Sequence, residues 1–217
     1  MFWEFAVIPD IRAGLLADNG KISHKREGLL LRRSHSLLNF LKGCESVDKR
    51  QIIEIITSAA QIYNEQLCDK SLLLLYDNPI QPKGIEIVAT PTNFLHLTGM
   101  IPRQGCSAES FYKKALSHTL SPNDFTVRNG ASMQKMQVLL QTVNLSVNAK
   151  MIGDYSGSHI YIQTGKVTGS ISSCLGLVPA RNYYVPQTVL REDTRNNIIK
   201  SFKVLAILQK RIGGMGK

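Results

Sequence analysis

Residues 151–190 read MIGDYSGSHIYIQTGKVTGSISSCLGLVPARNYYVPQTVL, and this stretch decides the fold class. It is rich in Gly, Ser, Tyr, Val and Ile, and turn-forming segments interrupt it at 156–158 (SGS), 164–166 (TGK) and 179–181 (PAR). Short runs of β-branched and aromatic residues between such turns are typical of antiparallel strands. The sequence therefore predicts a β-meander of three or four strands here.

The chain before the meander alternates between helical and extended patterns. Residues 45–70 predict a helix, because their apolar residues recur at the spacing of one helix face: Ile52, Ile56, Ala59, Tyr63 and Leu67. The apolar runs at 71–77 and 83–91 predict two buried strands. We expect the next segment, TPTNFLHLTGM at 90–100, to be extended. Helical periodicity returns at 107–120, with Ser107 as its cap, and at 131–150.

The two ends of the chain complete the predicted architecture. Residues 191–212 predict a helix, with one apolar stripe and a different face of lysines that includes Lys200, Lys203 and Lys210. We expect residues 1–47 to form a mostly helical N-terminal appendage and residues 48–217 to form the main domain. The predicted fold is α+β, with helices packed on one side of a small antiparallel β-meander.

The net charge of +10 is concentrated in one half of the chain. Residues 1–110 contain 12 basic and 12 acidic side chains, whereas residues 111–217 contain 14 basic and only 4 acidic ones. A one-sided basic surface attracts a phosphate backbone. The pattern favours a nucleic-acid ligand, and its alternative is a basic surface that only keeps the protein in solution.

Several classes of protein fit the sequence poorly. The four cysteines and five histidines are scattered without the spacing of metal ligands, so we expect no metal site and no cofactor. No apolar run approaches the length of a membrane-spanning helix. Glu4 and Asp10 interrupt the apolar N-terminus, and no basic segment precedes it. We therefore expect a cytoplasmic protein that does not contact a membrane.

Three segments resemble, in order and rough spacing, the phage-type nuclease domains grouped with barnase, EndoU, colicin and RelE toxins. These segments are NFLHLTGM (93–100), SAESFYKKALSHTLSPNDF (107–125) and YYVPQTVLREDTR (183–195). The resemblance covers roughly residues 50–210. It implies a small α+β domain from a phage or mobile element, with toxin-like ribonuclease activity that needs no metal ion.

Metal-free RNA cleavage needs a group that moves protons and cations that stabilise the charged phosphorane. His96 is the best acid–base candidate, because imidazole titrates near neutral pH. In an extended chain, Thr98 would point the same way as His96 and could contact the phosphate. Lys114 and Arg191 are the candidate catalytic cations. The alternative for His96 is a buried histidine with satisfied hydrogen bonds.

Other side chains are candidates for RNA contacts without a catalytic role. Tyrosines stack on bases, and basic side chains bind phosphates. The candidates are Lys113, Tyr155, Tyr184, Thr188, Arg195, Lys200 and Lys203. The segment TVLRED at 188–193 has an alternative interpretation, as a helix start that Thr188 caps.

Two other functions stay open. An ADP-ribosyltransferase-like enzyme would need a glutamate near the end of a strand, and Glu192 falls in the possible helix start. A basic module that binds nucleic acid without cleaving it would explain the charge equally well. For the ribonuclease, the expected partners are RNA, with tRNA and ribosome-associated RNA as options, and a cognate inhibitor protein.

Overall fold

A computed structural model describes residues 4–6, 48–128, 130–159 and 163–212 of the chain. The helices are α1 (Lys49–Gln66), α2 (Pro91–Thr98), α3 (Ala108–Leu116), α4 (Gly130–Val143) and α5 (Leu145–Asn148), and Thr194–Asn197 form a 3₁₀ turn. The strands are β1 (Glu4–Ala6), β2 (Lys70–Tyr76), β3 (Lys83–Val88), β4 (Met100–Pro102), β5 (Phe125–Val127), β6 (Met151–Asp154), β7 (Lys166–Gly169), β8 (Cys174–Ala180), β9 (Tyr183–Leu190) and β10 (Phe202–Arg211).

Eight of these strands form one sheet, in the order β1-β10-β2-β3-β9-β8-β7-β6. The first residues of β10 also pair with β6, where Phe202 lies opposite Ile152. This pairing joins β6 to β10, so the sheet closes on itself. Between described strands, the only parallel pairing is that of β3 with β9, where Ile87 lies opposite Tyr184. Strands β4 and β5 form a separate antiparallel pair.

One continuous hydrophobic core joins the helices to this sheet. It contains side chains of α1 to α4 together with inward-facing residues of β2, β3, β8, β9 and β10. Aromatic rings lie at its centre: Tyr63 of α1 is 5.2 Å from Phe94 of α2, centroid to centroid, and Phe94 is 5.3 Å from Tyr112 of α3. The Tyr63 hydroxyl donates a hydrogen bond to the backbone oxygen of Thr90, at 2.8 Å. The start of α2 is thereby fastened to α1.

The α+β class is confirmed, and so is the meander. Strands β6 to β9 follow one another along the chain and pair antiparallel with their neighbours. Strands β2 and β3 form an antiparallel hairpin at the two predicted apolar runs. The helices predicted at 45–70, 107–120 and 131–150 are present as α1, α3, and α4 with α5. Ser107 caps α3, because its side chain accepts from the backbone N–H of Ser110.

Two local predictions are wrong. Residues 90–100 are not extended, because Pro91–Thr98 form α2. Residues 191–212 do not form a helix, because β10 occupies 202–211. Three strands pair with it: β2 along most of its length, β1 at 207–209 and β6 at 202–203. A short apolar run fits a helix and a buried strand equally well by periodicity, so these long-range pairings decide the outcome.

The segment TVLRED is also not a helix start, because Thr188 lies within β9 and pairs with Gly176 of β8. The predicted N-terminal appendage, residues 1–47, lies mostly outside the described residues. Its described part, Glu4–Ala6, is a strand and not a helix, and it pairs with β10 at the edge of the sheet.

The meander depends on close backbone approach at Gly169, which leads to a stability prediction. A Cβ there would lie 2.3 Å from the backbone oxygen of Ser173 and 2.6 Å from Cα of Cys174. We expect Gly169→Ala to lower the free energy of unfolding by about 1–3 kcal/mol, the usual cost of overpacking. Gly130→Ala is the control, since a Cβ there meets nothing within 4 Å. Urea unfolding of both variants checks this, and equal stabilities would contradict it.

Candidate active site

A cleft of about 360 Å³ opens where α2, α4, β4 and β9 meet. Its polar lining consists of His96, Arg128, Lys135, Gln163, Gln187 and Thr188. Its apolar lining comes from Leu95 and from the three residues of β4, Met100–Pro102. The cations Arg128 and Lys135 both belong to the basic second half of the chain.

Helix α2 presents His96 to the cleft because of how the helix begins and ends. Asn93 accepts a hydrogen bond from the backbone N–H of Thr90, at 2.9 Å, and Pro91 occupies the first turn, where its missing N–H costs nothing. Gly99 ends the helix in the left-handed conformation, with φ of 68°. His96 therefore lies in the last turn, where its side chain is exposed.

Lys135 of α4 is the central cation of the cleft. Its Nζ donates to the backbone oxygen of His96, at 3.2 Å, and to Oγ1 of Thr188, at 3.1 Å. The oxygen of His96 is one of the carbonyls that the last turn of α2 leaves without a helical partner. One ammonium group therefore joins α2, α4 and β9.

The electrostatics of Lys135 follow from its surroundings. Burial lowers the pKa of its ammonium group below the usual range of lysine, because desolvation disfavours the charged form. Both of its hydrogen-bond acceptors are neutral oxygens, and neither cancels its charge. Such a cation suits an anionic ligand that completes its coordination.

Arg128 reaches the same cleft through the β4–β5 pair. Met100 follows Gly99 directly and lies opposite Val127, the last residue of β5. Arg128 comes next in the chain, so the pairing places it beside the end of α2. Its side chain is exposed. A guanidinium at this place can donate two parallel hydrogen bonds to a phosphate.

A β-bulge in β9 lets two consecutive residues line the cleft. Gly176 of β8 lies opposite Thr188, and Leu177 lies opposite Pro186, so Gln187 is an extra residue without a partner. Consecutive side chains of a regular strand point to opposite faces, and a bulge re-aims one of them. Gln187 and Thr188 both face the cleft as a result.

Among the residues that the sequence suggested, the structure brings His96 and Thr188 into the cleft. The expected alignment of Thr98 with His96 is wrong, because positions two apart on a helix do not share a face. Thr98 is fully buried; its hydroxyl donates to the backbone oxygen of Leu95, at 2.7 Å, and accepts from the N–H of Met100.

The other suggested residues do not line the cleft. Lys114 pairs with Asp124 at 2.5 Å, Lys113 with Glu109 at 2.7 Å, and Arg195 with Asp193 at 2.5 Å. Arg191 and Lys203 are exposed, and Lys200 lies over the ring of Phe202 at 5.5 Å. Tyr184 packs against the core, and the Tyr155 hydroxyl donates to the backbone oxygen of His159. Roles of these residues in catalysis or RNA binding stay predictions.

Glu192 also lies outside the cleft lining, two residues beyond the end of β9. Its carboxylate is 3.1 Å from Nε2 of His159 and accepts a hydrogen bond from the side chain of Asn197, at 3.0 Å. These contacts hold together the loop after β6 and the segment after β9.

Four polar residues of the cleft were not among the candidates from the sequence: Arg128, Lys135, Gln163 and Gln187. Lys135 left a recognisable signal, because it lies three residues after Ser132 and four before Leu139, both on the buried face of α4. A lysine at that position borders the core. Gln187 left no such signal, since the bulge depends on the register with β8.

The described residues contain no helix both long and apolar enough to cross a membrane. They also bring no three His, Cys, Asp or Glu side chains together in a metal-binding group.

Comparison with known proteins identifies the family of the chain. The family model described as phage-Barnase-EndoU-ColicinE5/D-RelE like nuclease4 (PBECR4) matches residues 55–214. The chain belongs to this family of nucleases. The suspected relationship to phage-type nucleases is thereby confirmed. No curated protein and no solved structure matches the chain.

The position of Lys135 leads to a prediction about Gly99. A Cβ at Gly99 would lie 2.9 Å from Cδ of Lys135, so Gly99→Ala should push the ammonium group out of place. We expect nuclease activity to fall at least tenfold, since misplacement of a charge-stabilising group weakens its effect on the transition state.

Gly105→Ala is the matched control for this variant. Gly105 also has a positive φ, of 86°, but a Cβ there meets nothing within 4 Å. Both variants should lose about 1–2 kcal/mol of stability to backbone strain. Because this loss of stability is common to both variants, only Gly99→Ala should also lose activity. Equal activities of the two variants would contradict the role of Lys135.

Proposed function

We propose that this nuclease cleaves RNA, with the ribose 2′-hydroxyl as nucleophile and without a metal ion. The observation that supports the proposal is the meeting of an exposed imidazole, His96, with two cations, Lys135 and Arg128, in one cleft. This set supplies proton transfer and charge stabilisation from side chains alone. Since DNA lacks the 2′-hydroxyl, the chemistry restricts the substrate to RNA.

In this mechanism, Lys135, Arg128 and Thr188 bind the scissile phosphate. Lys135 Nζ and Thr188 Oγ1 are 3.1 Å apart, so both can contact one phosphate group. Lys135 is half-buried, where an ion interacts more strongly with a phosphate than it does in bulk water. The negative charge that grows on the phosphorane is the charge that these groups stabilise.

His96 moves the protons. The imidazole accepts the proton of the 2′-hydroxyl while the 2′-oxygen forms a bond to phosphorus. The bond from phosphorus to the 5′-oxygen breaks, and that oxygen takes up a proton, which the imidazolium can supply. The products are a 2′,3′-cyclic phosphate and a free 5′-hydroxyl. No oxidant or other reactant is needed.

The proposal also concerns the RNA substrate and the partners of the enzyme. The basic second half of the chain, with 14 basic and 4 acidic side chains, supports binding of a longer RNA around the cleft. We propose a toxin-like enzyme that acts on cytoplasmic RNA, with tRNA or ribosomal RNA as candidate targets and an inhibitor protein as a candidate partner.

Removal of the imidazole tests the mechanism. We expect His96→Ala to lower the rate of RNA cleavage in excess EDTA by about two to four orders of magnitude, the usual contribution of one acid–base group. His118→Ala is the control, because His118 is an exposed histidine that contacts Gln61 and does not line the cleft. Thermal melting should show that both variants fold.

The substrate for this test is an end-labelled DNA oligonucleotide with a single ribonucleotide. We expect one cut, on the 3′ side of the ribose, and none in the all-DNA strand. Cleavage of the all-DNA strand, or full activity of a folded His96→Ala variant, would contradict the mechanism. Binding without cleavage would instead favour the nucleic-acid-binding module.

Lys135 leads to a pH prediction. Because burial lowers the pKa of Lys135, its ammonium group loses its proton at a lower pH than that of a solvent-exposed lysine, whose pKa is about 10.4. We therefore expect kcat/KM, which reports the free enzyme, to fall on the alkaline side below that pH. Lys135→Arg should move this fall to higher pH, whereas exposed Lys49→Met should leave it unchanged. An identical alkaline profile in Lys135→Arg would contradict the assignment.

A further inference from the structure

The side chain of Gln187 carries a buried acceptor that the protein does not satisfy. Its Oε1 is shielded from solvent and has no hydrogen-bond partner among the described residues. The residue is the extra one of the β9 bulge, which directs it to the cleft. A buried acceptor without a donor costs about 1–3 kcal/mol, so its persistence in a binding cleft points to a donor that arrives with a ligand.

The walls around Gln187 suit a flat ring. Met100, Ile101 and Pro102 of β4, with Leu95 of α2, supply apolar surface on the same cleft. Ile101 is 43% exposed, so a ligand in the cleft can contact its side chain. A nucleobase has apolar faces and a polar edge, so it can contact this wall while its edge reaches an amide.

The neighbouring residue connects Gln187 to the phosphate site. Thr188 follows it directly and accepts a hydrogen bond from Lys135 Nζ at 3.1 Å, and Gln187 and Lys135 both line the cleft. A nucleotide bound there through its phosphate has its base within reach of Gln187. Gly176 keeps this arrangement open, because a Cβ at that position would lie 2.7 Å from Cγ2 of Thr188.

We propose that Gln187 selects a base with an exocyclic amino group, such as adenine or cytosine, next to the scissile phosphate. This inference rests on the proposed function and adds its base preference. The amino group of adenine or cytosine projects from the ring and can donate to a recessed Oε1, while the amide nitrogen donates to the adjacent ring nitrogen. Uracil and hypoxanthine present a carbonyl oxygen in place of that amino group, and a carbonyl oxygen cannot donate to Oε1.

Pairs of substrates that differ in one exocyclic amino group test this preference. Replacing the amino group by a carbonyl oxygen leaves the shape of the base almost unchanged. The substrates are oligonucleotides with one ribonucleotide, in which adenine is replaced by hypoxanthine, or cytosine by uracil, on either side of the cleavable phosphate. We expect cleavage of the amino-bearing member to be about five- to hundredfold faster in the wild-type protein, the range for one good base contact. The same pairs in all-DNA form, labelled for fluorescence anisotropy, report binding separately from cleavage.

Gln187→Met should remove the preference, because it keeps the length of the side chain but not its amide. The rates for the two members of each pair should become equal. Gln137→Met is the matched control: Gln137 on α4 also has a buried Oε1 without a partner, but it does not line the cleft. Its base preference should match that of the wild type.

The outcomes separate this inference from the proposed function. Cleavage of RNA with equal rates for both members of each pair, or a preference that survives Gln187→Met, would overturn the inference and leave the function standing. Discrimination in binding that depends on Gln187, without any cleavage, would support the inference and overturn the function. If the protein shows neither cleavage nor discrimination between the bases, both the inference and the proposed function are overturned.

Discussion

The cleft depends on one half-buried ammonium group. Lys135 joins the end of α2, through the backbone oxygen of His96, to Thr188 on β9. Its attraction to α2 follows from the helix itself, since the carbonyl end of a helix carries partial negative charge. Two neutral oxygens only partly replace the hydration that burial removes, and the lowered pKa of Lys135 expresses this deficit. The interaction that positions the site therefore also leaves it ready for an anion.

The polar groups of the cleft come from several supporting elements. Helix α2 supplies His96, α4 supplies Lys135, the segment after β5 supplies Arg128, and the bulge in β9 supplies Gln187 and Thr188. The aromatic contacts among Tyr63, Phe94 and Tyr112 hold α1, α2 and α3 together, and the Tyr63 hydroxyl fixes the start of α2. The core thus positions the few polar groups of the cleft.

Much of the fold could be predicted from local patterns. The meander, the β2–β3 hairpin, and helices α1, α3 and α4 each have a periodicity that matches their structure, because their apolar residues face a single core. The errors occurred where a short apolar segment suits two conformations. Pro91 and Asn93 favour a helix start, and Pro91–Thr98 form α2; pairing with three strands makes Phe202–Arg211 the strand β10. Such long-range pairings leave no local signature.

For the site, the sequence by itself determined the chemical character: a basic second half, a histidine at position 96, and family segments that match a group of nucleases. Only the tertiary structure decided which cations share the cleft with that histidine. Lys113, Lys114 and Arg195 are neutralised by nearby carboxylates, whereas Lys135 is held by neutral oxygens. The reason is physical: the availability of a charge depends on what packs against it, and those neighbours come from distant parts of the chain.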